Sequence, residues 1–343
     1  MTAYTTEKFA TDLQVEHLVD NLEYALSSAD QSEKRIQRSD APEELIVSAD
    51  VNRLLRFVLE DWAWLILFWV GMAYSPAWLY PVWALLVAGR LHAFGVILHD
   101  LTHLPLRGKT FKVRVIEALA GYPSTSTLNA MRYHHLRHHR DSGMDTDPYY
   151  KKGVETDRWL YFLMTVRGVL LCPFWCLRGY VGVLSIFIPK LRNIYGHVFL
   201  QDRSKDDLTH STEIKICAKE EIGQVIAHTL VFVLAYFHFD LVLFFYFIPL
   251  TVTGILNAHR VLMEHRYFVA RDRNIETIIA TTVDHNLDPL GRLFLAPRNI
   301  GYHIVHHIHP TVALDRLPAL RAWYRKTYPN LYPPSEVLFV AGR

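Results

Sequence analysis

At 51% hydrophobic residues and a mean hydropathy of +0.09, a 343-residue chain that is still 20% charged is too apolar for an ordinary soluble domain and too polar to lie wholly in lipid. Its net charge of +2 gives no electrostatic case for a nucleic-acid partner, and neither a zinc-finger spacing nor a glycine-rich phosphate loop occurs. Three cysteines, Cys172, Cys176 and Cys217, cannot build a disulfide framework or a Cys-x-x-Cys site and read as reduced packing residues.

Residues 1–50 are acidic, with eleven Asp or Glu against four Lys or Arg, and the opening MTAYTTEKFA lacks the basic start and apolar core of a signal peptide. This segment is expected to stay cytoplasmic, with Phe9, Leu13, Leu18, Leu22 and Leu26 on one face of a short packing helix. The remainder, 51–343, reads as one membrane-embedded catalytic domain. Residues 62–98 are almost continuously apolar, broken at SPAWLYP by two prolines that predict a hairpin turn. A second apolar stretch covers 222–256. At about 1.5 Å per residue, each is too long for one crossing of a ~30 Å hydrocarbon core and long enough for two. Two transmembrane hairpins, and hence four spans, are predicted. Residues 158–190 offer apolar runs of only eight to ten residues, cut by Arg167 and Arg178, and are expected at the interface.

Charge sets the expected orientation. Neither hairpin turn holds a Lys or Arg, whereas 99–157 holds Arg107, Lys109, Lys112, Arg114, Arg132, Arg137, Arg140, Lys151 and Lys152. The positive-inside rule therefore predicts an integral, multi-pass protein with both termini and the polar cap cytoplasmic. Arg90 and His92 fall inside the second predicted span, which is expected to continue past the membrane and carry them toward the cap.

The histidines carry the chemistry. HDLTH sets His99 and His103 at i, i+4; HLRHH sets His135, His138 and His139 at i, i+3, i+4; HIVHH repeats that spacing at His303, His306 and His307. On a helix, each spacing gathers imidazoles toward one face. Eight clustered histidines exceed what one ion needs, so two metal ions are implied. All-imidazole ligation excludes magnesium and calcium, and a hydrolytic zinc helix would need a glutamate where Asp100 and Leu101 stand. Redox iron fits best. Ligands outside the hairpins also argue against a metal transporter.

The three boxes, HDLTH, HLRHH and NIGYHIVHH, in that order and with a membrane hairpin between the second and third, resemble those of the membrane fatty acid desaturases and their hydroxylase and ketolase relatives. The resemblance implies an all-α polytopic membrane protein with four transmembrane helices and a cytoplasmic cap holding a dimetal site of two Fe2+ ions. It adds His265, in LMEHRY, as a ninth ligand. Val261 stands where animal acyl-CoA desaturases have Asn, so the chain looks closer to bacterial and sphingolipid-type members. It further implies oxygen-dependent desaturation of an acyl chain in a lipid, with O2 as co-substrate. A hydroxylase or carotenoid ketolase would use the same ligands. No His-Pro-Gly-Gly haem signature occurs, so electrons are expected from a separate ferredoxin or cytochrome b5 type protein steered to the basic face at Arg107, Lys109, Lys112, Arg114, Lys151 and Lys152.

Asp100, Glu264 and Asn299 lie beside or one turn from expected ligands and are candidates to orient the imidazoles. His134 and His309 read as hydrogen-bonding neighbours of the site, and His259 and His285 lie near it in sequence. His17, His92, His197, His210, His228 and His238 read as structural.

Overall fold

The computed structural model describes residues 35–334 except 107, 155, 268, 286 and 287. The helix expected within 9–26, His17 and Arg107 lie outside the described residues. Residues 1–40 and 41–343 form separate compact units. In the first, a single 3-10 turn at Arg38–Asp40 is described.

The described residues of the second unit are helical, with isolated β-bridges in place of strands. Helix α1 (Val51–Tyr74) starts where the Asp50 carboxylate accepts the Arg53 amide at 3.1 Å, and it stops at Ser75, just before Pro76. The predicted turn follows, and α2 (Tyr80–Thr102) returns with Pro81 in its first turn. Trp83 closes the hairpin by donating its indole N–H to the Ser75 hydroxyl at 2.9 Å. Leu54, Val58, Leu65 and Phe68 of α1 pack against Val87, Leu91, Phe94 and Ile97 of α2 as the main core. On the outer side of α1, Trp64, Ile66 and Leu67 are more than half exposed, an apolar face suited to lipid.

The cap begins with α3 (Phe111–Ile116) and α4 (Leu128–Asp141), the latter packed against the end of α2. Helices α5 (Arg158–Val166) and α6 (Leu171–Phe187) are joined by a 3-10 turn at Arg167–Leu170. Helix α7 (Thr212–Phe237) and α8 (Ile248–Glu264), the latter led in by short helical turns from Phe239, form the second expected hairpin, turning at His238. Four short helices complete the cap: α9 (Ile275–Thr281), α10 (Pro289–Phe294), α11 (His303–Ile308) and α12 (Leu317–Thr327).

Among the described residues, four helical runs are long and apolar enough to cross a membrane: Ala77–Thr102, Arg158–Phe187, Thr212–Phe237 and Phe239–Glu264. Three are arms of the expected hairpins, but Arg158–Phe187 falls in the segment expected at the interface. Its two arginines do not break the helix. Arg178 is buried, and its Nε donates to Glu221 of α7 at 2.7 Å while Nη2 donates to Gln224 at 3.0 Å, so the charge is met inside the bundle. Arg167 sits on the turn between α5 and α6, where Gly168 meets Gly254 of α8; a Cβ at Gly168 would lie 2.6 Å from the Gly254 carbonyl oxygen. Only glycine permits that approach.

Arg90 is likewise not carried to water. Its Nη1 meets Asp61 of α1 at 2.7 Å, Arg298 pairs with the same carboxylate at 2.9 Å, and Nη2 donates to the Leu293 carbonyl at 2.8 Å. This buried network ties the loop before the third histidine box to the first hairpin.

Candidate metal centre

The nine expected ligands fall into two groups. His99, His103, His135, His139 and His306 form one, and His138, His265, His303 and His307 the other, with the ligand atoms within each group no more than 4.8 Å apart. Helical geometry explains the division. At 100° per residue, an i, i+4 pair is separated by about 40° around the axis and an i+3 residue lies about 60° to the other side. Thus His135 and His139 of α4 share the first group while His138 points to the second. On α11, His303 and His307 share the second and His306 reaches the first. The two helices each feed both groups, α2 adds the i, i+4 pair His99 and His103, and His265 enters as the residue that ends α8.

Within the groups, the Nε2 atoms converge. His135 Nε2 lies 2.9 Å from those of His103 and His139, and His139 Nε2 lies 3.1 Å from that of His306. In the second group His265 Nε2 lies 3.0 Å from those of His138 and His303, and His303 lies 3.0 Å from His307. Nitrogens about 2.1 Å from a metal and at right angles to one another are ~3.0 Å apart, whereas a tetrahedron would separate them by ~3.4 Å. The neighbouring donor atoms of each group are therefore close enough to share a metal ion.

Electrostatics support ligation by neutral imidazole. Burial, followed by the neighbouring rings, holds His135, His139, His303, His306 and His307 well below the usual imidazole range. Their Nδ1 atoms are buried without hydrogen-bond partners, so convergence through Nε2 is the main polar contact these rings make.

Two rings in the second group are oriented from behind. His265 Nδ1–H donates to the Val261 carbonyl at 2.9 Å. His138 Nδ1–H donates to Asp147 at 2.8 Å, which leaves its Nε2 lone pair facing the group. Asp147 escaped the sequence reading because it lies nine residues beyond His138 in a loop. Gly143, at φ +80°, reverses the chain, and the Gly143 and Tyr149 amides then donate to the same carboxylate at 3.0 and 2.8 Å. Burial raises the Asp147 pKa, but His138 and these amides outweigh it and hold the group below the usual carboxylate range. Tyr149 also stacks on His138, with ring centroids 4.2 Å apart.

Of the expected orienting residues, Glu264 comes nearest, with a carboxylate oxygen 3.6 Å from His303 Nδ1 and an ion pair to Arg260. Asp100 instead accepts the Leu314 amide. Asn299 turns at φ +67°, and its carbonyl accepts the Tyr302 amide. His134 belongs to neither group, and His309 meets the Tyr324 hydroxyl at 2.7 Å. Lys109, expected on the exposed basic face, is spent on Glu117 at 2.7 Å and on Glu220, leaving Lys112 and Arg114 exposed there.

A cavity borders both groups. Leu91, Val96, Met131, Leu171 and Trp175 give it apolar walls, and His99, His135, His138, His265 and His303 also line it. Such a cleft accepts a slender apolar chain and holds it against the histidines.

The family model described as fatty acid desaturase matches residues 75–337, a range that contains all nine histidines and the cavity. No curated protein matches the chain.

Proposed function

This chain belongs to the fatty acid desaturase family, and from that premise we propose that it removes two hydrogens from adjacent methylenes of a lipid acyl chain, using O2 and two iron ions held by the nine histidines. The family implies an oxidoreductase acting on an acyl chain, and four long apolar helices among the described residues accord with a membrane setting. The observation that carries the finer reading is the pair of converging imidazole groups bordering one cavity with apolar walls.

His99, His103, His135, His139 and His306 would hold one iron, and His138, His265, His303 and His307 the other. Iron so held supplies the O2-dependent oxidising power that an unactivated C–H bond requires. The protein's own residues do the rest. The walls at Leu91, Val96 and Trp175 exclude water and present one stretch of the chain to the site, while Asp147 and the Val261 carbonyl keep His138 and His265 in the tautomer that offers Nε2. Four electrons reduce O2 to water and the methylene pair yields two, so two come from a separate ferredoxin or cytochrome b5 type donor. The positive-inside rule supports a cytoplasmic cap where that donor docks, with Lys112 and Arg114 exposed toward it.

Purified full-length protein from iron-replete cells is expected to carry about two iron atoms per chain by elemental analysis, given two groups of donors. A single zinc with no iron would overturn the reading.

Asp147→Asn is expected to weaken metal retention about 10- to 100-fold in a chelator competition, because the amide can present its NH2 to His138 and favour the wrong tautomer. Asp145→Asn, whose carboxylate makes no bond to a ring, serves as the control and is expected to retain metal. Equal retention in the two variants would show that Asp147 does not orient the ligand.

A further inference from the structure

Helix α11 carries three of the nine rings on six residues, fewer than the ~12–15 that an isolated helix needs to persist in water, so its place depends on what holds its ends. Its start lacks a cap of its own, because Tyr302 occupies the N-cap position and offers no side-chain acceptor to the first turn. Asp284 fills that role from another part of the chain. Its Oδ1 accepts the Ile304 amide at 2.8 Å, the bond an N-cap side chain would make. Its Oδ2 accepts Arg321 Nε of α12 at 2.9 Å and the Tyr332 hydroxyl at 2.6 Å, and the carboxylate is fully buried. The far end of α11 is tied to the same helix, since its C-cap residue His309 meets Tyr324 of α12. The short segment around Asp284 also joins two ligands of the second group through backbone: Thr282 bridges to His265 and Asp284 to Tyr302, while the Val283 amide donates to the Glu264 carbonyl at 3.0 Å and the His285 amide to the Gly301 carbonyl at 2.9 Å.

We propose that Asp284 is a positioning residue of the metal centre: gripped by Arg321 and Tyr332, it fixes the start of α11 and thereby sets His303 and His307 in the second group. This rests on the reading of two metal-holding groups above and adds what sets one of them from outside. A carboxylate suits the task because it has two acceptor oxygens, one for the helix and one for the donors of the C-terminal segment, whereas an amide has only one. The consequence for the two groups is unequal. Helix α11 supplies two of the four rings of the second group and one of the five of the first, so loosening its start disturbs the second more.

The test uses full-length protein in detergent, loaded with cobalt(II), and two double variants: Asp284→Ala with Arg321→Met, and Asp284→Asn with Arg321→Met. Neither strands a buried charge, and they differ in whether an oxygen is offered to the Ile304 amide. The Ala variant is expected to release about one cobalt per chain to a chelator about 10- to 100-fold faster than the unaltered protein, with altered visible bands, while the other cobalt stays within about threefold. Amide hydrogen exchange is expected to speed up about tenfold over 300–309 and to stay unchanged over 128–141, where α4 lies. The Asn variant is expected to return release, bands and exchange to within about threefold of the unaltered protein. If the two variants behave alike, or if exchange rises equally in both segments, Asp284 does not position the rings. Should the Ala variant fail to fold, Tyr332→Phe decides: about threefold faster release of one cobalt and faster exchange over 300–309 support the role, and no change in either refutes it. If the unaltered protein takes up fewer than two cobalt ions, the two-ion reading falls, and exchange over 300–309 in the same variants still decides whether Asp284 holds α11.

Discussion

Turnover is expected to disappear, by on the order of 100-fold or more, when any one of His103, His135, His139, His306, His138, His303 or His307 is changed to Ala, with membrane insertion retained. The reason is geometric. Each ring supplies one Nε2 to a set whose members lie about 3 Å from their neighbours, and no other donor among the described residues stands ready to replace it. The spans do not depend on these rings, because their backbone bonds close within each helix. The division into two groups sharpens the expectation. Neighbours in sequence serve different ions, so His138→Ala and His307→Ala are each expected to lower metal content toward one atom per chain by emptying the second group. His139→Ala and His306→Ala are expected to do so by emptying the first. Combining His138→Ala with His307→Ala then costs no further metal, whereas combining His138→Ala with His139→Ala leaves almost none. His134→Ala, beside the cluster but in neither group, is expected to keep about two atoms per chain and measurable turnover. Elemental analysis with product assay decides the matter, and near-normal turnover in several of the single variants would refute the ligand assignment.

Glu221→Ala is expected to be the most destabilising substitution away from the histidines. The Glu221 carboxylate is fully buried and accepts Arg178 Nε at 2.7 Å and the Tyr195 hydroxyl at 2.8 Å. Removing it strands a guanidinium that is itself 1% exposed, a loss of about 3–5 kcal/mol for a broken buried pair. In a chain of this size, that corresponds to a fall in melting temperature on the order of 10 °C in detergent. Replacing both partners with apolar groups, Arg178→Met and Glu221→Leu, is expected to recover most of the loss, because no buried charge is then left unmatched. Thermal unfolding of the single and double variants separates the two cases. Equal losses would show that packing between α6 and α7, rather than the stranded charge, sets the effect.

The gathering of the histidines was legible in the residues alone because helix periodicity is local. His-x-x-x-His and His-x-x-His-His place rings on a face whatever the rest of the chain does. The two hairpins were legible for a similar reason, since apolar length and proline turns act within a few residues of themselves. What a linear reading lacked was the partner across space. Arg178 read as an interruption of an apolar segment because Glu221, forty-three residues on, was not visible as its counterion. Arg90 looked misplaced until Asp61 and Arg298 met it. Lys109 counted as surface charge although Glu117 and Glu220 hold it. Asp100 and Asn299 stood next to ligands in sequence but turn to backbone partners, whereas Asp147 reaches His138 only because Gly143 folds its loop back. Which histidines share a group was also decided in three dimensions. The i+3 ring on α4 and on α11 leaves its i, i+4 neighbours and crosses to the other group, and that division exists only once α2, α8 and both box helices are packed around the same point. The sequence by itself thus determined the kind of site and the residue types that build it. Tertiary packing decided which charges are neutralised, which carboxylate orients an imidazole and how nine rings divide between two groups, because each of those is a distance between residues far apart in the chain.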